Sequence, residues 1–310
     1  MPTASDQTNA PTSTTDPVAP QSATATLRLA LPKGRMQEGV FALLADAGLP
    51  VRAGSRGYRP KVLLAGSTID AKILKPQNVV EMLDAGSRDV GFAGADWVCE
   101  LGARVVDVLD TGLDEVRLVA AAPADLLVDG QPPRRPLVIA SEFERITRGW
   151  IESRGYDARF VRSYGATEAF PPEDADCIVD IAASGETLRA QNLVVFGEVM
   201  RSSTRLYASR RAMEDGQTRA GIDRLVMLLK SVLEARQRVM LELNVAPGSL
   251  ETVIAALPCM REPTIAPLYG DAGYAVKAAV PRRILPALIP ELKARGGSDI
   301  VVIETSQIIP

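Results

Sequence analysis

Residues 175–188 read ADCIVDIAASGETL, and this stretch decides the fold: an apolar strand runs into a turn of small residues, and a helix follows. Small residues let backbone N–H groups approach an anion closely, and the start of a helix favours negative charge. Asp180 places a carboxylate beside this turn. By itself a Ser-Gly-x-Thr turn is more often an N-cap. Together with Asp180, it predicts a site for a phosphorylated sugar, with the phosphate on the amides and the hydroxyls on the acid.

The segments around this turn alternate between strands and helices. LVIAS (137–141) is predicted to be a strand, residues 143–154 a helix and DARFVRSYG (157–165) the next strand. Such alternation indicates an α/β domain with a largely parallel sheet.

A similar unit comes earlier in the chain. LRLALP (27–32) predicts a strand, residues 36–47 a helix, residues 62–76 a hairpin, residues 78–94 a helix and a strand, and VRLVAAAP (116–123) a long strand. Two similar α/β units predict two lobes with a cleft between them, where ligands commonly bind.

The last part of the chain has a different pattern. Residues 221–240 carry the apolar i, i+3, i+4 stripe of an amphipathic helix, which we interpret as a docking or linker helix. Residues 239–310 then predict a βαββαβ order over about 70 residues, which is long enough to fold independently. The predicted boundaries are a disordered tail in 1–25, lobe I in 26–115 and 209–238, lobe II in 116–208, and a ferredoxin-like domain in 239–310.

Composition restricts the partners and the chemistry. The net charge of −3, from 35 basic and 38 acidic residues, gives no footprint for nucleic acid or an anionic membrane. The chain has no apolar run of the roughly 18–20 residues that span a bilayer, and residues 1–25 do not resemble a secretory signal. Three scattered cysteines and the lack of histidine argue against disulfides, histidine triads and histidine metal ligands. We therefore expect a cytoplasmic protein.

Five stretches, in one order, resemble the long-form ATP phosphoribosyltransferases, the first enzymes of histidine biosynthesis. They are LPKGR (31–35), KPQNVVEMLDAGSRDVGFAGADWV (75–98), YGATEAF (164–170), ADCIVDIAASGETLRAQNLV (175–194) and REPTIAPL (261–268). The resemblance covers roughly residues 26–310. It implies two periplasmic-binding-protein-like lobes and a C-terminal regulatory domain, in agreement with the α/β architecture predicted from the residues.

The resemblance also implies roles for individual residues. Glu168 and Asp180 would bind the ribose hydroxyls of phosphoribosyl pyrophosphate, and the cations Lys33 and Arg35 would lie near its pyrophosphate. The loop that would bind its 5-phosphate consists of Ala182, Ala183, Ser184, Gly185, Glu186 and Thr187. These four charged residues and this loop form the predicted catalytic site.

Two further sites are implied by the same resemblance. ATP would be bound on the side of Lys75, Gly94 and Asp96, and the effector histidine near Asn244, Met260 and Thr264. The family's effector pocket sometimes has an acid at the position of Asn244. The implied assembly is a homohexamer built from dimers.

In the family's reaction, N1 of the ATP adenine displaces magnesium-bound pyrophosphate from the anomeric carbon of the ribose. A weakly basic ring nitrogen needs no strong base, so alignment and charge neutralisation are sufficient. Mg²⁺ is the implied cofactor, held mainly through the substrate pyrophosphate. We therefore predict no protein metal ligands and no general base.

Departures from the family pattern leave alternatives open. The family usually has Asp at the position of Asn78 and often Thr at that of Ala93, and the interval from Glu168 to Asp180 is one residue short. A phosphoribosyltransferase with another acceptor base fits these departures. A non-catalytic cytosolic sensor also fits, because fold alone does not fix function. Turnover of phosphoribosyl pyrophosphate separates the sensor from the enzymes.

Overall fold

The computed structural model describes residues 26–52, 58–64, 67–183 and 185–309. The predicted tail (1–25) and Ser184 of the predicted phosphate loop lie outside these residues. The described part of the chain forms a nine-stranded sheet flanked by helices and a separate four-stranded sheet.

The first lobe is built around four strands. Its elements are β1 (Thr26–Pro32), α1 (Met36–Asp46), β2 (Lys61–Leu64), β3 (Ser67–Leu74), α2 (Pro76–Asp84), β4 (Val90–Gly94) and α3 (Ala95–Leu101). The long strand β5 (Val105–Pro123) then leads into the second lobe. That lobe contains β6 (Leu137–Ser141), α4 (Glu144–Arg154), β7 (Ala158–Arg162), β8 (Cys177–Ala182) and α5 (Glu186–Ala190). The chain returns through β9 (Leu193–Ser209), α6 (Arg210–Glu214) and α7 (Gly216–Gln237).

The strand directions in the large sheet determine where the strands end. The order is β2-β3-β1-β4-β9-β5-β8-β6-β7. Strands β3, β1 and β4 are parallel, and so are β8, β6 and β7. Since β9 is antiparallel to both β4 and β5, and β8 is antiparallel to β5, the two parallel sets run in opposite directions. Their carboxyl ends therefore point toward each other, with Gly94 opposite Thr204 and Ala182 opposite Arg117.

The prediction of a largely parallel sheet was wrong. Four neighbouring pairs are parallel, and the other four, β2–β3, β4–β9, β9–β5 and β5–β8, are antiparallel. The difference comes from β5 and β9. These strands pass through both lobes, and most of their residues were not predicted to form strands. Only residues 116–123 of the 19-residue β5 were predicted. No strand was predicted for the 17-residue β9. Register shifts interrupt their pairing between Asp107 and Ala121, so neither strand shows a clean period-two pattern.

Helices cover the first-lobe part of the sheet on both faces. Leu29 of β1 packs with Val40 of α1 and Leu225 of α7 on one face. On the other face, Ala30 packs with Val79 of α2. The amphipathic helix predicted at 221–240 is confirmed as a docking helix, since its apolar stripe enters this core, but it spans Gly216–Gln237 and residues 238–240 belong to the next strand.

The C-terminal domain has a core of its own, formed by residues that include Leu241, Val276 and Leu292. Its elements are β10 (Arg238–Val245), α8 (Leu250–Ile254), β11 (Thr264–Pro267), β12 (Tyr274–Pro281), α9 (Leu285–Ala294) and β13 (Gly297–Glu304). The antiparallel order β11-β12-β10-β13 confirms the predicted ferredoxin-like arrangement.

The end of the chain returns to the first lobe. The backbone N–H of Ile308 donates to the carbonyl of Ser231 in α7 at 2.9 Å. The side chain of Gln307 donates to the carbonyl of Asp46 in α1 at 3.3 Å. The domain boundaries stay predictions, and the one between residues 115 and 116 falls inside β5.

Two glycine substitutions test the packing between β1, β4 and α2. A Cβ at Gly91 would lie 2.8 Å from the Cβ of Ala30 and 2.9 Å from Cγ1 of Val79, so Gly91→Ala should lower the free energy of unfolding by about 1–3 kcal/mol. A Cβ at Gly149, exposed on α4, would meet nothing within 4 Å. Gly149→Ala should therefore stabilise the protein by about 0.5–1 kcal/mol. Urea denaturation measures both variants, and shifts of the same sign would contradict this description of the packing.

Candidate active site

The predicted site residues lie at the carboxyl ends of the two parallel strand sets. In the first lobe they are Lys33 and Arg35 after β1, Lys75 after β3, and Gly94 and Asp96 at the end of β4. In the second lobe they are Glu168 after β7, and Asp180 and the described residues of the loop 182–187 at the end of β8. Because these ends point toward each other, both groups face the junction where β5 and β9 pass between the lobes. Ligands of open α/β sheets bind at such carboxyl ends.

Two first-lobe candidates are attached directly to the junction. The guanidinium of Arg35 donates to the carbonyl of Asp114 in β5 at 3.1 Å. The backbone N–H of Asp96 donates to the hydroxyl of Ser202 in β9 at 3.1 Å. Burial raises the pKa of the Asp96 carboxyl, although the backbone N–H of Trp97 and the charge of Arg35 act in the opposite direction. A Cβ at Gly94 would lie 2.2 Å from this carboxylate, which explains the glycine.

The two candidate lysines are more loosely held. Both Lys33 and Lys75 are exposed, and neither ammonium group has an ion-pair partner among the residues that the structure describes. The Lys33 ammonium lies 5.8 Å from the centre of the Tyr58 ring. The backbone N–H of Lys33 donates to the carbonyl of Leu74 at 2.7 Å, which ties the turn after β1 to the end of β3.

Carboxylates gather at the ends of the second-lobe strands. Asp180 accepts a hydrogen bond from the N–H of Ile181 at 2.7 Å. Burial, together with the negative charges of Glu168 and Glu142, raises the pKa of Asp180 to about 6, although the hydrogen bond from Ile181 acts in the opposite direction. The sequence alone indicated Asp180 and Glu168 as site residues, but Glu142 was not predicted. The sequence does contain a signal for Glu142, since this residue directly follows the strand LVIAS. In the same way, Asp180 lies near the end of β8 and Glu168 follows β7.

The predicted phosphate loop is open to a ligand. Ala182 is buried at the end of β8, whereas Ala183 and Thr187 are exposed. Gly185 has a φ of 74°, in the left-handed region that favours glycine, and a Cβ there would meet nothing within 4 Å among the described residues other than its chain neighbours. Helix α5 has only five residues. An anion would therefore depend on the loop N–H groups more than on a helix dipole.

A cavity of about 350 Å³ lies at the junction beside this loop. Its lining comes from β5, β8 and β9 and includes Ala182, Ala183, Arg117, Arg201, Ser202 and Arg205. Sequence reasoning missed the last four, since they depend on pairing between strands that are distant in sequence. The polar run RSSTR (201–205) inside an otherwise apolar strand was the available signal.

Metal-ligating side chains do not gather in the same way. The described residues contain no group of three or more Cys, Asp or Glu side chains that would hold a metal ion. Mg²⁺ commonly binds through one or two carboxylates together with substrate phosphates and water. One or two carboxylates would be enough to hold an ion that arrives with a phosphorylated substrate.

Two family models and several known proteins are similar to this chain. The family model described as ATP phosphoribosyltransferase matches residues 75–231, and the one described as HisG, C-terminal domain matches residues 235–307. A protein from Pelotomaculum thermopropionicum named ATP phosphoribosyltransferase is 35% identical over 289 residues, which cover 92% of this chain and 99% of that protein. The chain belongs to the ATP phosphoribosyltransferase family.

Other members of the ATP phosphoribosyltransferase family show the same extent of similarity. The protein of that name from Chlorobium luteolum is 33% identical over 288 residues, which cover 91% of this chain and 97% of that protein. A solved structure described as the ATP phosphoribosyl transferase (HisG:HisZ) complex from Thermotoga maritima is 26% identical, with a TM-score of 0.58, and covers 67% of this chain and 98% of that one. The prediction of a transferase at the first step of histidine biosynthesis is confirmed.

The predicted effector residues of this ATP phosphoribosyltransferase lie in the C-terminal sheet. Asn244 of β10 and Thr264 of β11 share the face turned away from the domain core, with β12 between them. The N–H of Met260 donates to the carbonyl of Ala279 in β12 at 3.2 Å. The amide of Asn244 donates to the carboxylate of Asp299 at 3.0 Å. The structure thus supplies an acid next to Asn244, from a different strand.

None of the helices in the described part of the chain combines the length and the apolar character needed to cross a lipid bilayer.

Asp180→Asn should stabilise the protein near neutral pH. The carboxyl has a pKa of about 6 when folded, against an ordinary value of 3.8, so its ionisation lowers stability as the pH rises through this window. A neutral Asn keeps the acceptor for the N–H of Ile181 and should add about 1–3 kcal/mol to the free energy of unfolding at pH 7.5. The gain should shrink as the pH falls and vanish below about pH 4. Thermal denaturation over this pH range would contradict the assignment if the gain did not depend on pH.

Proposed function

We propose that the chain transfers the phosphoribosyl group of phosphoribosyl pyrophosphate to N1 of ATP, with the two substrates bound from opposite lobes. The observation that carries this proposal is the meeting of two sets of strand ends at one junction, β4 with its Asp96 on one side and β8 with its loop on the other. A transfer between two bound substrates needs their reacting atoms side by side, and holding them so lowers the barrier by several kcal/mol, of the order of 7–11.

The second lobe is proposed to bind phosphoribosyl pyrophosphate. The 5-phosphate would lie on the loop 182–187, where the open space at Gly185 lets an anion approach the backbone. Asp180 and Glu168 would accept hydrogen bonds from the ribose hydroxyls. With a pKa of about 6, Asp180 is mainly ionised at neutral pH, and in this form both of its oxygens accept hydrogen bonds.

The first lobe is proposed to bind ATP, with Lys75, Gly94 and Asp96 nearest to it. Lys33 and Arg35 would face the leaving pyrophosphate. Mg²⁺ bound to that pyrophosphate would supply further charge neutralisation, and no general base is needed for a ring nitrogen. This role of Mg²⁺, a homohexamer built from dimers and a cytoplasmic location are parts of the proposal.

The departures at Asn78 and Ala93 bear little on the acceptor. Ala93 is fully buried and packs with Val79 and Tyr207, away from the cleft surface. The amide of Asn78 donates to the carboxylate of Glu81 in the same helix at 3.1 Å. ATP therefore remains the favoured acceptor, and the mass of the product tests this assignment.

Purified protein with ATP, phosphoribosyl pyrophosphate and Mg²⁺ should form phosphoribosyl-ATP and pyrophosphate. If another base is ribosylated instead of ATP, the assignment of ATP as acceptor is wrong. If the substrates bind but no product forms, the chain is a non-catalytic sensor.

Gly185→Val tests the phosphate loop. The valine side chain should occupy the space over the loop and lower the affinity for phosphoribosyl pyrophosphate by at least about tenfold, a loss typical of charged hydrogen bonds. Gly130→Val is a matched control, since Gly130 has a φ of 71°, against 74° for Gly185, and equally open surroundings. Both variants carry the same backbone strain, so only the first should lose binding in titration calorimetry. Equal affinities in the two variants would place the 5-phosphate elsewhere.

Thr264→Arg tests the C-terminal domain as a histidine sensor. Histidine should inhibit the enzyme without simple competition with ATP, through a coupling of about 1–3 kcal/mol between sites. An arginine on the exposed face near Asn244 should relieve this inhibition and leave activity largely intact. Thr252→Arg, on the exposed side of α8, serves as the control. The sensor role fails if saturating histidine neither binds the intact enzyme nor slows it.

A further inference from the structure

Two arginines lie side by side at the junction. Arg117 of β5 is directly opposite Arg201 of β9, and on its other side it is opposite Ala182 of β8. Residues in register on neighbouring strands share a face of the sheet. All three line the junction cavity, so the two guanidinium groups belong to the same surface as the start of the phosphate loop.

This pair carries more positive charge than its surroundings neutralise. Like charges directly opposite on a sheet are destabilising. In the part of the chain that the structure describes, both arginines share one carboxylate, that of Glu198, at 3.8 Å from Arg117 and 2.8 Å from Arg201. Glu115 also lines the cavity but forms no ion pair with either of them there.

The third arginine of the cavity lining is already neutralised. Arg205 pairs with Asp107 at 2.6 Å and with Asp110 at 2.8 Å. The hydroxyl of Ser203 also donates to Asp110, at 2.8 Å. The unbalanced charge therefore lies at Arg117 and Arg201, which are 48% and 77% exposed and accessible to a ligand.

We propose that Arg117 and Arg201 form a subsite for the oligophosphate group of a substrate, either the pyrophosphate of phosphoribosyl pyrophosphate or the triphosphate of ATP. This inference rests on the proposed function. Arginine guanidinium groups bind phosphate oxygens in pairs of parallel hydrogen bonds. The subsite lies beside the proposed phosphate loop, since Ala182, which is opposite Arg117, leads into that loop. The pair positions and neutralises an anion and takes no part in proton transfer.

Inorganic pyrophosphate is the direct probe. In titration calorimetry with the full chain, Arg117→Ala and Arg201→Ala should each weaken pyrophosphate binding about tenfold or more. The matched control is Arg219→Ala, because Arg219 is 59% exposed and its ion pair with Asp223 spans 3.9 Å. Ribose 5-phosphate should bind all three variants as it binds the parent. Unchanged pyrophosphate affinity, or an equal loss for ribose 5-phosphate, would overturn the subsite.

Glu198→Gln should change the affinity for pyrophosphate in the opposite direction from the two alanine variants. Removal of the shared carboxylate frees both guanidinium groups, so pyrophosphate should bind several-fold more tightly. A damaged fold does not produce tighter binding, so this result is independent of any instability in the alanine variants. Weaker or unchanged binding would count against the subsite.

Steady-state kinetics identify which substrate supplies the oligophosphate. A rise in KM for phosphoribosyl pyrophosphate alone in Arg117→Ala assigns the pyrophosphate, and a rise for ATP alone assigns the triphosphate. If neither KM changes, the subsite is wrong. Failure of the proposed function is a separate result, since it appears as no transfer by the parent enzyme while pyrophosphate binding is still measured by calorimetry.

Discussion

The antiparallel pairing of β5 with β9 is the constraint on which the rest of the structure depends. These two strands run through both lobes, and each lobe attaches its parallel strands to one of them, β4 to β9 and β8 to β5. Because the attachments are antiparallel, the two parallel sets are forced to run in opposite directions. Strand ends that would lie far apart in two independent sheets therefore meet at one place. Bulges interrupt this pairing at several points between Asp107 and Ala121, the junction included.

The junction brings carboxylates and arginines to the same place. The second lobe contributes Asp180, Glu168 and Glu142, and the last two are close enough to disfavour ionisation of Asp180. The arginines lie on the crossing strands and on the turn after β1. A phosphorylated sugar has hydroxyl groups that donate to carboxylates and phosphates that require cations and amides, so a surface with both kinds of group matches it. This surface costs stability in the absence of ligand, through burial of Asp180 and through the adjacent arginines.

Local patterns were predicted well from the sequence, and pairing between distant segments was not. The bounds of LVIAS (137–141) were predicted as observed, because a short apolar run between turn residues is sufficient to define a buried strand. The strand, turn and helix around Asp180 follow from the same kind of local signal. Strand β9 was missed because its polar residues face the junction and its bulges break the alternation. Arg117 and Arg201 are 84 positions apart, and only the sheet register brings them together.

The attachment of the C-terminal domain at both of its ends limits how that domain moves. It begins directly after α7, and the chain beyond β13 returns to the same helix through the N–H of Ile308 and the carbonyl of Ser231. A body held by a single tether can reorient about three axes, whereas one held at two points turns mainly about the line that joins them. The two attachment points of this domain therefore define one main axis of rotation. Any displacement of this domain would act on lobe I through α7 and the end of α1, which the last residues of the chain contact.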